Sequence, residues 1–515
     1  MKNGSRTAIN LACSFLVLGT SICINLFMSP YIVSKIGVEA NGFITLANNF
    51  TTYLNLFILA LNSMAARFIS IEYNKQNYQK ANLYYNSVFW GNLALVLIFA
   101  PIMFWGIFNL QKWIDIPPEL VSDVKGLFAL VLLNFFLATA APNWECGVFT
   151  TNRLDRQYIP NVITSLLKCA LLYISLTLIV PKVWYVGLVT FIVGTINLCV
   201  NGYNTHALTP RLKIGFRKGK RTWSIDAIKQ LLSAGIWNSI TSAGWMLLNG
   251  LDLLVANLFI NSTAMGLISL SKILYTLMTE FSNSINRVFV PSMVIDYATG
   301  DSKNLVANVK KWVKISSVLM VTPLAGIMVL SDDFFRLWVP GQDYMLLSRL
   351  SMLACAGSIF LCGSQVLFQL FTVTNRLKAY SVSVLASGVI SSLVVFGILR
   401  INSDETFGMY VIVGTSTVVA VIRNLLFLIP LAARSLDQKA TVFYPVNLMC
   451  ITNAVVCIAV SSFVRSFFTI NNWIEFIFIA CLIAITNFVL SSIILLNKNE
   501  KRELLEKITG KLIKR

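Results

Sequence analysis

Gly42-Phe43-Ile44-Thr45-Leu46-Ala47-Asn48 returns later in the chain as Gly266-Leu267-Ile268-Ser269-Leu270-Ser271-Lys272. Outward from this pair, Thr151-Asn152-Arg153-Leu154 returns as Thr374-Asn375-Arg376-Leu377. Pro101 matches Pro323, Trp113 matches Trp338, Asn25 matches Asn249 and Asn62 matches Asn286. One short match arises by chance in 515 residues. Several in chain order, all at an offset of about 222 to 225 positions, mark an internal duplication.

Composition sets the solvent for the two halves. Hydrophobic residues make up 56% and charged residues 12%, with a mean hydropathy of +0.72, whereas a soluble chain carries about 25% charged residues. The expectation is an all-α polytopic membrane protein. About fourteen apolar runs are long enough to cross about 30 Å of hydrocarbon. They lie near 9-33, 42-66, 86-108, 126-144, 159-180, 183-208, 231-260, 264-290, 312-330, 345-370, 379-399, 408-430, 443-464 and 473-496. Runs of this length exclude β-barrel strands.

Most of the 41 Lys and Arg fall on segments that are cytoplasmic if the N-terminus is inside, among them Arg67, Arg153, Arg156, Lys310, Lys311, Arg376 and Arg434. That bias places both termini in the cytoplasm. The offset spans six helices, an even number, so the copies insert with the same orientation. The expected organisation is an N-lobe over 1-225 with helices 1-6 and a C-lobe over 226-440 with helices 7-12. Helices 13-14 follow over 441-496, and a basic cytoplasmic tail over 497-515, amphipathic enough to lie on the inner membrane surface.

The net charge of +19 belongs to topology and to anionic headgroups of membrane lipids, so no nucleic-acid partner is expected. The ten cysteines form no C-x-x-C pair and read as packing residues; the single histidine, His206, reads as interfacial. Gly215-Phe216-Arg217-Lys218-Gly219-Lys220 is one residue short of a phosphate loop, and Arg221 stands where Ser or Thr would hold magnesium. Neither a nucleotide, a metal nor any other cofactor is expected.

The informative chemistry is a polar stripe in the second span. Thr45, Asn48, Thr52, Asn55 and Asn62 share one helical face. The eighth span repeats it with Ser269, Lys272, Thr276, Thr279, Asn283 and Asn286, with Glu280 beside them and Arg287 just beyond. Two readings stand: hydrogen-bonded ties between helices, or the wall of a wet cavity. Charge inside the spans bears on the second. Lys168, Lys272, Arg287, Arg349 and Arg423 face only Asp252 and Glu280. Either Asp252 bridges Lys272 structurally, or the cavity is net positive and takes a phosphate or carboxylate.

Ser29-Pro30-Tyr31-Ile32-Val33-Ser34-Lys35-Ile36-Gly37-Val38-Glu39-Ala40-Asn41-Gly42-Phe43, with Leu61-Asn62-Ser63-Met64-Ala65-Ala66-Arg67-Phe68-Ile69, resembles bacterial polysaccharide-export proteins. These are the Wzx-type flippases of the multidrug/oligosaccharidyl-lipid/polysaccharide exporter superfamily. The resemblance extends over essentially the whole chain through length, helix number and the doubled six-helix unit. It implies two parallel six-helix repeats forming a V-shaped, MATE-like transporter of the cytoplasmic (inner) membrane. Its cargo would be a polyprenyl-diphosphate-linked oligosaccharide, turned to the outer leaflet for O-antigen or capsule assembly, with a polysaccharide polymerase and a chain-length regulator as candidate partners.

On that resemblance Lys272 and Arg287 would attract the diphosphate, and Lys168 would complete the positive surface. Asn48, Asn55, Asn62, Asn249 and Asn286 would serve sugar hydroxyls, while Asp252 and Glu280 would balance charge or carry a coupling proton. Two relatives within the superfamily remain open. A cation-coupled multidrug antiporter typically has an acid in the first helix, and 9-33 has no charged residue. A peptidoglycan-precursor flippase usually has an arginine there. A membrane glycosyltransferase would need outer-face carboxylates, and the loop expected to hold Asp332-Asp333 is too short for a catalytic platform.

Overall fold

The computed structural model describes residues 3–215, 222–298, 302–402, 404–497 and 500–501, and the regular elements in them are helical. The side chains of residues 1–12, 15, 287, 288, 291 and 298 fall outside the described set. So do Phe216–Arg221, the core of the rejected phosphate loop, and nearly all of the basic tail. Helix is what long apolar runs require, because in hydrocarbon each backbone N–H and C=O has to be satisfied within its own segment.

The helices are α1 (Asn3–Ile36), α2 (Val38–Asn62), α3 (Ala65–Asn74), α4 (Tyr78–Phe108), α5 (Val121–Ala140), α6 (Cys146–Thr150), α7 (Asp155–Leu178), α8 (Trp184–Leu208), α9 (Ile225–Trp245) and α10 (Asp252–Phe259). They continue with α11 (Ser262–Ser271), α12 (Ile273–Ala298), α13 (Ser302–Trp338), α14 (Tyr344–Leu361), α15 (Gln365–Val373), α16 (Leu377–Ile401), α17 (Glu405–Arg423), α18 (Ile429–Ser435), α19 (Tyr444–Arg465) and α20 (Trp473–Leu495). They form two compact units. The first comprises Met1–Ala243 and Leu253–Leu267; the second comprises Gly244–Asp252 and Ile268–Arg515.

Twelve helices among the described residues are long and apolar enough to span a membrane, or thirteen if the bent pair α9–α10 counts as one. Fourteen were expected, and the difference lies in the seventh and eighth spans. The seventh is not one rod: Met246–Gly250 forms a π-turn, after which the helix bends by 42°. A π-turn inserts a residue into the hydrogen-bond ladder, and such turns concentrate at functional sites. The eighth is cut at Lys272 into the short apolar α11 and the polar-striped α12.

The Thr-Asn-Arg-Leu match has a backbone cause. Asn152 and Asn375 adopt the left-handed conformation, with φ of 53° and 56°, at the ends of the short helices α6 and α15. The following N–H groups, of Arg153 and Arg376, donate back to Val148 and Phe371 carbonyls at 2.9 and 3.0 Å. This is the asparagine form of a helix C-terminal cap.

In the second unit α13 is the central post, 37 residues long, packed against α12, α14, α19 and α20. α19 and α20 are laced together by Asn453 donating to Ser491 at 3.0 Å and Asn487 donating to Ser461 at 2.8 Å. Asp332 and Asp333, expected on an outer loop, lie within α13 instead. Asp333 is buried and accepts from Arg336 and Arg465, so it ties α13 to α19.

In the first unit, an asparagine ladder on α4 holds the segment that leads into α9. Asn82 donates to the Arg211 carbonyl at 2.8 Å and accepts from the Lys213 N–H at 2.7 Å. Asn86 does the same one turn on, with the Lys213 carbonyl at 3.0 Å and the Gly215 N–H at 2.9 Å. These amides take the place of a neighbouring strand, satisfying backbone groups that have no helix of their own. Asn86→Leu is expected to release this strap. The readout is limited trypsin digestion, with cleavage after Arg211 and Lys213 accelerating at least about tenfold, a loss of about 1.4 kcal/mol in local closure.

Candidate functional site

Asn249-Gly250 interrupts a largely apolar span, and the helical ladder is irregular there, in the π-turn Met246–Gly250. Irregular backbone at this depth is tolerated where it is buried in protein or lines a cavity. Here it lines one. A cavity of about 360 Å³ opens within the second unit beside the π-turn. Trp245 and Asn249 come from the broken span. Tyr275, Met278, Thr279, Ser282 and Asn283 come from α12, their three- and four-residue spacing putting them on one face. Met320, Ser358, Leu361, Cys362, Gln365, Phe368, Tyr380 and Ala420 complete the wall.

Lys272 sits at the neighbouring recess of about 20 Å³, which Asn249, Tyr275, Ser358 and Thr417 also line. That is room for about one water molecule. The ammonium forms an ion pair with Asp252, the two side chains 13% and 9% exposed, and donates to the Asn249 carbonyl at 3.2 Å. Lys272 thus joins the two breaks, tying a π-turn carbonyl of the seventh span to the interruption of the eighth. Its charge is neutralised by Asp252.

The other expected residues divide. Asn249 and Lys272 meet at the recess, and Asn249 accepts from the Tyr275 hydroxyl at 3.5 Å. Asn62 and Asn286 are structural ties. Asn62 exchanges hydrogen bonds with Asn92 at 2.9 and 3.1 Å; at the matching place in the second unit, Asn286 accepts from Ser316 and donates to Ser282, each at 3.2 Å. Asn48, with its amide turned back to the Ile44 carbonyl at 3.0 Å, and Asn55 are exposed on α2. Thr276 and Thr279 are exposed at the corresponding places on α12. Glu280 is half-buried, without an ion pair among the described residues. Lys168 is half-buried on α7, in the first unit, and is not part of the cavity wall. The Arg287 side chain lies outside the described residues.

Trp245, Tyr275, Gln365 and Tyr380 escaped the sequence reading, which followed charge and amides. A usable signal was present: Trp245 is one turn before Asn249, on the face that the Asn-Gly break exposes. Arg423, noted only as a deep cation, is 4% exposed. Its guanidinium lies over the Trp245 ring at 4.6 Å and the Tyr380 ring at 5.9 Å. Nε and Nη1 have no hydrogen-bond partner among the described residues.

Comparison with known proteins places this geometry. The uncharacterized membrane protein EpsK of Bacillus subtilis (strain 168) is 22% identical over 499 residues, covering 97% of each chain. A structure of the lipid II flippase MurJ in an inward closed conformation superposes with a TM-score of 0.66 at 14% identity, over 94% of this chain and 98% of that one. The MATE multidrug transporter DinF-BH gives 0.59 at 14% identity, over 85% and 96%. These likenesses show the fold, which this chain shares with those structures over most of its length. The model of one family, described as polysaccharide biosynthesis protein, matches residues 10–295, more than half of the chain, and the chain belongs to that family.

Proposed function

We propose that the protein is a flippase that turns a polyprenyl-diphosphate-linked oligosaccharide repeat unit from the cytoplasmic to the outer leaflet by alternating access. In this reading residues 1-225 and 226-440 are duplicated six-helix lobes, 441-496 an appended helix pair, and 497-515 a basic cytoplasmic tail. The product would feed O-antigen or capsule assembly.

One observation carries the choice of cargo. No Asp, Glu, Lys or Arg lines the cavity of the second unit among the described residues, while amides and hydroxyls recur around it. A cation-coupled drug antiporter needs an accessible carboxylate to exchange against its cargo; Asp252 is committed to Lys272, and Glu280 does not line this cavity. A polyhydroxylated headgroup needs what this wall supplies, donors and acceptors in equal measure. The exposed faces bearing Asn48, Thr52 and Asn55 on α2, and Thr276, Thr279 and Asn283 on α12, support the same reading, because such groups are stable at depth where water or cargo reaches them.

The test is leaflet-resolved. Cells lacking the protein are expected to accumulate the polyprenyl-linked intermediate in the cytoplasmic leaflet, and re-expression to clear it. An unaltered leaflet distribution in the deletion strain, together with proton- or sodium-dependent dye efflux that Asp252→Asn abolishes, would replace this reading with multidrug antiport.

A further inference from the structure

We propose that the cavity of the second unit is a subsite for one uncharged sugar ring of the cargo glycan, stacked on the indole of Trp245 and hydrogen-bonded by Asn249, Asn283 and Gln365. This rests on the flippase reading above and specifies what the site accepts.

Size is the first argument. A cavity of about 360 Å³ is at the small end of ligand sites, which run from about 300 to 1,000 Å³. It takes a ring rather than a whole repeat unit. The second argument is the pairing of surfaces. Trp245 and Phe368 bring aromatic rings to the cavity wall, which suit the C–H face of a pyranose, while Tyr380, also on the wall, is stacked on Phe371. Asn249, Asn283 and Gln365 each carry an amide that both donates and accepts, which suits hydroxyls around the rim of such a ring.

Charge supplies the third. Among the described residues an anion entering this cavity meets no free cation, because Lys272 is held by Asp252 and Arg423 is not part of the wall. Arg423 acts through the indole instead. Burying a guanidinium with no carboxylate beside it among the described residues is costly, and what it gains here is contact with the Trp245 ring and with Tyr380. It lies over the indole, and in the proposed arrangement the sugar would take the opposite face, which makes Arg423 a positioning residue.

Saturation-transfer NMR on the purified protein in lipid nanodiscs tests this, with methyl glycosides of neutral hexoses and N-acetylhexosamines as probes. Saturation is expected to reach the C–H protons of one ring face. Trp245→Ala should lower the signal about threefold to tenfold, the worth of one aromatic stacking contact, and Trp245→Phe should keep most of it. Arg423→Lys retains the charge but not the planar group, and is expected to spread saturation over both ring faces without abolishing it. If Trp245→Ala lowers the unfolding midpoint, Gln365→Leu serves in its place and should weaken the signal by a similar factor.

No saturation transfer in the native protein, an undiminished signal in both Trp245→Ala and Gln365→Leu, or displacement by methyl glucuronide or inorganic diphosphate overturns the proposal. Its failure is separable from that of the flippase reading. A protein that binds neutral glycosides through Trp245 but leaves the lipid-linked glycan in the cytoplasmic leaflet sinks the flippase reading and keeps the subsite. Full transport by a Trp245→Ala variant that binds the glycosides as well as the native protein does the reverse.

Discussion

Lys272→Met alone is expected to destabilise the protein by about 3–5 kcal/mol, and Lys272→Met combined with Asp252→Asn to recover most of that loss. The reason is the asymmetry of buried ion pairs. Removing one partner strands the other charge in a low-dielectric interior, whereas removing both leaves neutral groups that cost little. Lys272 and Asp252 are nearly enclosed, and the ammonium also holds the Asn249 carbonyl, so part of the loss persists in the double variant as one unmade hydrogen bond, about 1 kcal/mol. The measurements are thermal unfolding in detergent and the amount of protein in the membrane. Transport then separates structure from binding. If the pair only braces the two helix breaks, the folded double variant still moves lipid-linked glycan. A double variant of native stability that moves none would return Lys272 to the cargo as a phosphate ligand.

That outcome bears on what periodicity can convey. Spacing of three and four residues assigned Asn62 and Asn286 to the same helical faces as Asn55 and Thr279. It could not say what stands opposite. Asn92 and Ser316 do, each 30 positions further along the chain, and they turn those amides into ties between neighbouring helices. The Thr-Asn-Arg-Leu match was equally legible as a repeat, but its content is a left-handed helix end rather than a site.

The breaks were partly readable. Asn249-Gly250 is a plain interruption in the seventh apolar run and Lys272 in the eighth, yet hydropathy averages over both and makes each span continuous. The Trp245–Arg423 contact was out of reach altogether. It joins residues far apart in sequence through a ring face and a cation, and neither residue type announces such a pairing. Site reasoning from sequence followed charge, whereas the cavity is built from aromatic rings and amides, with the charge kept behind its wall.

The second large effect expected is at Gly388. α16 braces the broken span along one face, with Tyr380 on the cavity wall, Gly388 against Gly244, and the Ser392 hydroxyl donating at 3.2 Å to the Leu247 carbonyl of the π-turn. A Cβ on Gly388 would stand 2.6 Å from the Gly244 carbonyl oxygen, and one on Gly244 would stand 2.6 Å from the Leu385 nitrogen. Backbone meets backbone here, and no side chain can swing aside. Small residues are what allow two membrane helices to approach this closely.

Gly388→Val is therefore expected to cost about 3 kcal/mol, the upper part of the usual range for overpacking. It should abolish transport as well, since pushing α16 away displaces Tyr380 and uncovers the π-turn. Gly397→Val, on the same helix with open space around it, is the control and should leave both unchanged, while Ser392→Ala should cost only about 1 kcal/mol. The comparison is made by thermal unfolding of each purified variant and by leaflet assay of the lipid-linked intermediate. Equal behaviour of the two glycine variants would mean that α16 does not hold the cavity in shape. Loss at Gly388 alone would mean that the broken seventh span keeps its working form through the close approach of α16, and that the cavity exists because two glycines allow it.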